Sequence, residues 1–164
     1  MRHSLNRITA IPVVVLLLAY SLPKSDAQNR DAQVLFVCEH GNVKSLMAAS
    51  YFNKLAQEHQ LPFHAISRGN APNSTTVPPA IIQWLRGDGF DVSSFHPSAV
   101  KASDVSASQR VITIGTTLPA NLRVVVEAKI EHWDDVPPAS DDYDAARDSL
   151  KRHIKKLVEE LAAR

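Results

Sequence analysis

Apolar positions along the chain fall into short blocks separated by polar turns. Val34-Leu35-Phe36-Val37 is an unbroken apolar run of strand length, the pattern of a strand covered on both faces. The first strand is therefore predicted over 33–37. From Val43 the spacing changes. Val43, Leu46, Met47, Phe52 and Leu55 recur near the helical period, which predicts a helix over 43–57. Ala48, Ala49 and Ser50 would let that helix lie close to a sheet. Leu61-Pro62 breaks the chain, and Phe63 to Ser67 reads as a second strand. Thr76 can cap a helix over 78–86 with prolines in its first turn. Ile81, Ile82 and Leu85 would face inward there, and Gly87-Asp88-Gly89 would end it. A short helical segment near 101–106 and strands over 110–114 and 128–133 follow. Val124-Val125-Val126 reads equally as strand or loop. The last helix is predicted over 143–162, with Ala146, Leu150, Ile154, Leu157 and Leu161 as its buried stripe and Lys and Glu outside.

Strands alternating with helices imply an α/β fold, a parallel sheet with helices on both faces. Ligands in such sheets bind beyond the carboxyl ends of the strands. The turn after Val37 lies at that rim. Ser67-Arg68-Gly69, Gly115-Thr116 and Trp133-Asp134-Asp135 should lie there too.

The chain has 164 residues, but its start does not read as part of the fold. Arg2, His3 and Arg7 precede an apolar stretch over 8–22, and Ser25-Asp26-Ala27 supplies small residues for cleavage. This is a secretory signal peptide pattern over 1–27. It leaves residues 28–164 as one domain, placed in the periplasm or outside the cell. The stretch is short for a membrane span and contains Pro12, so an uncleaved anchor is the alternative. No membrane contact is expected once the peptide is removed.

Eighteen Lys and Arg against 17 Asp and Glu give a formal charge of +1, so nothing suggests a nucleic-acid surface. The only cysteine, Cys38, allows no internal disulfide and no resolving thiol. His64, His96 and His132 lack metal-ligand spacing, so no metal is expected. No cofactor is expected either.

Cys38 closes the first strand, and the turn Glu39–Lys44 leads into the helix. Gly41 and Asn42 in that turn can take positive φ. A strand feeding a helix this way aims backbone N–H groups and the helix's positive end at one spot. A cysteine there loses its proton readily, and Lys44 adds positive charge. The residues describe a nucleophile beneath an oxyanion cradle. The alternative is plain packing, since cysteine is among the most buried residue types.

The stretch from Cys38 to Ser45 resembles the signature loop of the low-molecular-weight protein tyrosine phosphatase superfamily, including its arsenate reductases. That family carries Cys, five residues, Arg, then Ser or Thr. This chain carries Cys38, five residues, Lys44, then Ser45. Arg offers a planar fork to two phosphate oxygens, whereas Lys offers a point charge. Ser67-Arg68-Gly69 is similar to a Ser-Ala-Gly of the family. The segment 79–93 resembles its helix and following Gly-x-Asp-x-Ser. Glu131-His132-Trp133 with the later Pro-Pro-Ala is similar to the Glu-His-Trp…Asp-Pro-Ala of arsenate-reductase-like members.

The resemblance implies a phosphotyrosine protein phosphatase I-like fold: a four-stranded parallel sheet, order 2-1-3-4, wrapped by helices. It implies Cys38 as nucleophile, with Glu39, His40, Gly41, Asn42, Val43, Lys44 and Ser45 as the phosphate-binding loop. Ser45 would bond the thiolate and Asn42 would brace the loop. The family's acid aspartate falls on Pro137, and Asp135 or Asp134 just upstream would serve after a small shift. Arg68 either reaches across the rim toward the anion or is a surface residue.

Three activities fit these residues. The first is an exported phosphomonoesterase of the tyrosine phosphatase type, slowed by Lys44. The second is a non-catalytic binder of phosphate, another oxyanion or a phosphoprotein. The third is an arsenate reductase that uses an external thiol. The expected partner is a phosphorylated protein or a small phosphate or arsenate oxyanion.

Overall fold

The computed structural model describes residues 32–123 and 130–163. Strand β1 (Ala32–Cys38) is the centre of the architecture. Its residues Val34 to Cys38 are all buried, as a strand flanked by parallel neighbours and covered on both faces should be. Strand β2 (Phe63–Gly69) pairs along one side of β1 and strand β3 (Ser108–Ile114) along the other. Strand β4 (Ile130–Trp133) adds to β3. All pairings are parallel and the order is β2-β1-β3-β4, the topology that the resemblance implied.

Alternate residues of β1 enter two separate cores, because successive strand side chains point to opposite faces. Val34, Phe36 and Cys38 join residues of helix α1 (Lys44–Glu58), helix α2 (Pro79–Gly87) and helix α5 (Tyr143–Ala162). Leu35 and Val37 join Val105 of helix α3 (Ala102–Ala107) and Leu122 of helix α4 (Ala120–Arg123). Phe36 is the hub of the first core, with ring centroids 5.9 Å from Phe52 and 5.5 Å from Trp133. The predicted stripe of α5 is buried throughout, joined by Ser149 and Val158.

Several ends shift by one residue from the sequence reading, and three features differ by more. β2 runs to Gly69 because Arg68 and Gly69 pair with Val37 and Cys38. β3 starts at Ser108, where Ser108 pairs with Gln33. Thr76 does not cap α2: Pro78 holds that position without a side-chain bond. The Thr76 carbonyl instead accepts from Ser74 Oγ at 3.1 Å. The leader segment and Val124–Val126 lie outside the described residues. No helix among the described residues is long and apolar enough to cross a membrane.

The rim at the end of β1 is set by a glycine contact. Gly41 has φ +74°, and a Cβ on Gly69 would lie 2.6 Å from the carbonyl carbon of His40. That neighbour is backbone and has nowhere to go. Gly69→Ala should therefore cost about 2 kcal/mol and lower the thermal unfolding midpoint by roughly 5 °C. An unchanged midpoint would show that the two backbone segments are not locked together.

Candidate active site

Cys38 is the last residue of β1, and its sulfur faces the turn that opens α1. Ser45 Oγ lies 3.0 Å from the sulfur, and the Gly41 N–H donates to it over 3.3 Å. Ser67 Oγ lies 2.8 Å from Ser45 Oγ and 3.1 Å from the Gly41 carbonyl. Its single proton serves one of these acceptors at a time. Ser45 and Ser67 are both fully or nearly fully buried. When Ser67 donates to Ser45, the Ser45 proton is free to point at sulfur, so a buried hydroxyl chain ends on Cys38.

The positive end of α1 points into the same turn. Val43 occupies its N-cap position with no side-chain cap, and no acidic residue lies in its first turn. A helix start leaves its first N–H groups without intrahelical partners. Here no side chain competes for them, so they remain available to an anion. Asn42 braces the turn by donating Nδ2 to the Thr76 carbonyl at 3.4 Å. The turn is further pinned by backbone bonds from Asn70 N to Cys38 O, 3.0 Å, and from Ala71 N to Glu39 O, 2.8 Å.

A cavity of about 450 Å³ opens over this turn. Cys38, Glu39, His40, Asn42, Val43 and Lys44 line one side of it. Trp84 and Ile81 of α2 and Pro138 to Ser140 of the loop after β4 line the other. Trp84 is the one large apolar side chain left exposed among the described residues. It packs against Tyr143 with centroids 4.8 Å apart. Tyr143 is fixed in turn by donating its hydroxyl to Asp88 at 2.7 Å.

The expected loop residues thus come together, each in a distinct setting. Lys44 reaches the rim, where its Nζ donates to the Val136 carbonyl at 3.5 Å. It also rests against Gly115, where a Cβ would meet that nitrogen at 2.6 Å. Glu39 accepts from Thr116 Oγ1 at 3.1 Å, which ties the turn to the exit of β3. The His40 ring places Nδ1 3.0 Å from the Ala71 carbonyl.

Three expected residues are placed elsewhere. Asp135, assigned above to proton donation, does not line the cavity. His153 Nε2 holds its carboxylate at 2.7 Å and Ser149 Oγ lies at 3.5 Å, both on α5. The hydrogen bond from His153 is the main cause that keeps the carboxyl below its ordinary value, against a smaller opposing push from burial. An ionised carboxylate has no proton to give at neutral pH. Asp134 is exposed and likewise absent from the cavity wall. Arg68 belongs neither to the anion site nor to the open surface. It is a partly buried scaffold residue whose Nε and Nη2 fork onto Asp104 at 3.1 and 3.2 Å. No cluster of metal-ligating side chains occurs among the described residues.

Sequence reasoning had no signal for Trp84, because the α2 pattern marked only its inward neighbours. Ser67 did carry one, as part of the Ser-x-Gly triplet, but its bond to Ser45 is a tertiary contact.

A family model described as low molecular weight phosphotyrosine protein phosphatase matches residues 33–164. The chain belongs to that family. No curated protein matches this phosphatase-family chain in sequence. Solved structures match it in fold. YfkJ from Bacillus subtilis has a TM-score of 0.67 at 19% identity, covering 80% of this chain and 95% of its own. An arsenate reductase in its phosphate-binding state has a TM-score of 0.64 at 20% identity, covering 79% of this chain and 98% of its own. The YwlE arginine phosphatase from Geobacillus stearothermophilus has a TM-score of 0.62 at 19% identity, covering 80% and 94%.

The hydroxyl chain makes a direct prediction. One hydrogen bond contributes about 1 kcal/mol net, so Ser45→Ala should slow iodoacetamide alkylation of Cys38 about fivefold at neutral pH. Equal alkylation rates would mean that Ser45 does not stabilise charge on the sulfur.

Proposed function

We propose that this chain is a cysteine-dependent phosphomonoesterase of the tyrosine phosphatase type, with Cys38 as nucleophile. The observation that carries this reading is the sulfur's setting: a donating backbone N–H and a serine hydroxyl within 3.3 Å, at the uncapped start of a 15-residue helix. Covalent phosphoryl transfer needs an activated nucleophile and a cradle for the phosphoryl oxygens. The Gly41 N–H, the Ser45 hydroxyl and the helix's positive end all face the sulfur, the setting that suits a thiol nucleophile. The N–H groups of the turn Glu39–Lys44 would hold the equatorial oxygens, with the Lys44 ammonium as a single added charge. Lys44 is also anchored on Val136, and an anchored point charge supports slower turnover than a guanidinium fork would.

Attack of the Cys38 thiolate on phosphorus would form phosphocysteine and expel the alcohol or phenol. Water would then release phosphate and restore the thiolate. The wild-type chain should release phosphate from an aryl phosphate and yield phosphocysteine after rapid quench. Cys38→Ser should lower release at least about 10³-fold, of the order lost with a covalent nucleophile. Equal release by both proteins would remove this reading.

A second reading is favoured by the hold of α5 on the Asp135 carboxylate, away from the cavity. Without that carboxyl the same cradle suits an oxyanion binder, for phosphate or a phosphorylated protein. It also suits an arsenate reductase fed by an external thiol, since Cys38 is the chain's one cysteine.

We also propose export. The basic start, the apolar stretch over 8–22 and Ser25-Asp26-Ala27 support it. N-terminal sequencing of the protein from its source should begin at Gln28, and an intact start would overturn the proposal.

A further inference from the structure

The cavity wall poses a chemical question. Expelling an ordinary phenol or alcohol needs a proton donor, and the second step needs an acceptor for a proton of water. Asp135 supplies neither, because its carboxylate is turned to His153 of α5 and does not line the cavity. We infer that His40, two residues past the nucleophile on the same turn, carries the proton in both steps. This rests on the reading of Cys38 as nucleophile.

Three observations carry the inference. First, His40 lines the cavity together with Cys38. Second, its orientation is fixed. Nδ1 lies 3.0 Å from the Ala71 carbonyl, which can only accept, so Nδ1 bears a proton and donates. The neutral ring therefore keeps its lone pair on Nε2. Ala71 is itself pinned, since its N–H bonds the Glu39 carbonyl at 2.8 Å. A carbonyl that fixes the tautomer of a histidine acts as the orienting partner of a general base. Third, the other titratable groups of the cavity are unsuited to the task. The Glu39 carboxylate is engaged by Thr116. The Lys44 ammonium donates to Val136. Cys38 is the nucleophile. The segments facing His40 from α2 and from the loop after β4 contribute uncharged residues, among them Trp84, Ile81, Pro138 and Ser140.

The proton balance closes with water as the only co-reactant. In the first step the ring is an imidazolium, donating from Nδ1 to Ala71 and from Nε2 to the leaving oxygen. The thiolate attacks phosphorus, the P–O bond breaks, and its electron pair takes the Nε2 proton. In the second step the neutral Nε2 accepts a proton from water as the water oxygen attacks phosphocysteine. The P–S bond breaks, phosphate leaves, and thiolate and imidazolium are restored. The Nδ1–H bond to Ala71 is kept throughout, so the ring changes charge without turning.

The test compares wild type with His40→Asn, whose amide can keep a donor toward Ala71, and His40→Ala. The substrates are a phenyl phosphate and 2,4-dinitrophenyl phosphate, whose leaving group departs without a proton. Formation of phosphocysteine from phenyl phosphate should fall about 10²-fold in His40→Asn. Its formation from the dinitrophenyl ester should fall several-fold at most. Phosphocysteine should then persist, because hydrolysis has lost its base. Added imidazole should restore turnover in His40→Ala, and the pH–kcat profile should lose one inflection. Equal losses on both esters, with no imidazole rescue in a variant that unfolds at the wild-type temperature, would reduce His40 to a structural part and overturn the proposal. Absence of phosphocysteine from either ester in wild type would overturn it as well, by removing the nucleophile reading beneath it.

Discussion

The site depends on one contact: the turn after β1 lies against the end of β2 with no side chain between them. Gly41 and Gly69 make that approach possible, because a Cβ on either would overlap the other segment's backbone. Once the segments touch, the hydrogen bonds follow. Asn70 and Ala71 donate to the carbonyls of Cys38 and Glu39, and Ser67 reaches the Gly41 carbonyl and Ser45. With those carbonyls tied down on the β2 side, the Gly41 N–H is left to face the sulfur. The shape of an anion cradle is a consequence of where its carbonyls are anchored.

Around this fixed turn the chain arranges charge in an asymmetric way. The Ser45 hydroxyl, the Gly41 N–H and the start of α1 converge on the sulfur. Three carboxylates near the rim are held by other groups. Glu39 is bound to Thr116, Asp104 to Arg68 and Asp135 to His153. The last pair is reinforced by stacking of the His153 ring on Trp133, centroids 4.7 Å apart. Such restraint keeps negative charge from swinging into the cradle. It also leaves His40 as the group of the cavity best placed to exchange a proton.

Much of the fold was legible because the relevant signals are local. The run Val34 to Val37, the helical stripe of α5 and the turn residues at Gly87 to Gly89 each report on their own few neighbours. The loop was legible for the same reason, since Cys38 to Ser45 is contiguous. The misjudged residues all depend on distant partners. Asp135 looked available because its loop is polar, but Ser149 and His153 stand one helical turn apart on α5 and capture it. Arg68 looked free because its partner Asp104 lies far along the chain, on α3. Trp84 went unmarked because nothing in α2 reveals that its exposed face borders the cavity of Cys38.

The amino-acid order by itself therefore determined the strands and helices, the nucleophile candidate and the turn that holds it. These follow from periodicity and from conformational preferences acting over a few residues. The tertiary structure alone decided which carboxylates are engaged, which aromatic ring walls the cavity, and which nitrogen of His40 keeps its lone pair. Each of those outcomes is a pairing between groups remote along the chain. Such a pairing comes into being when parallel strands bring their ends to a common rim.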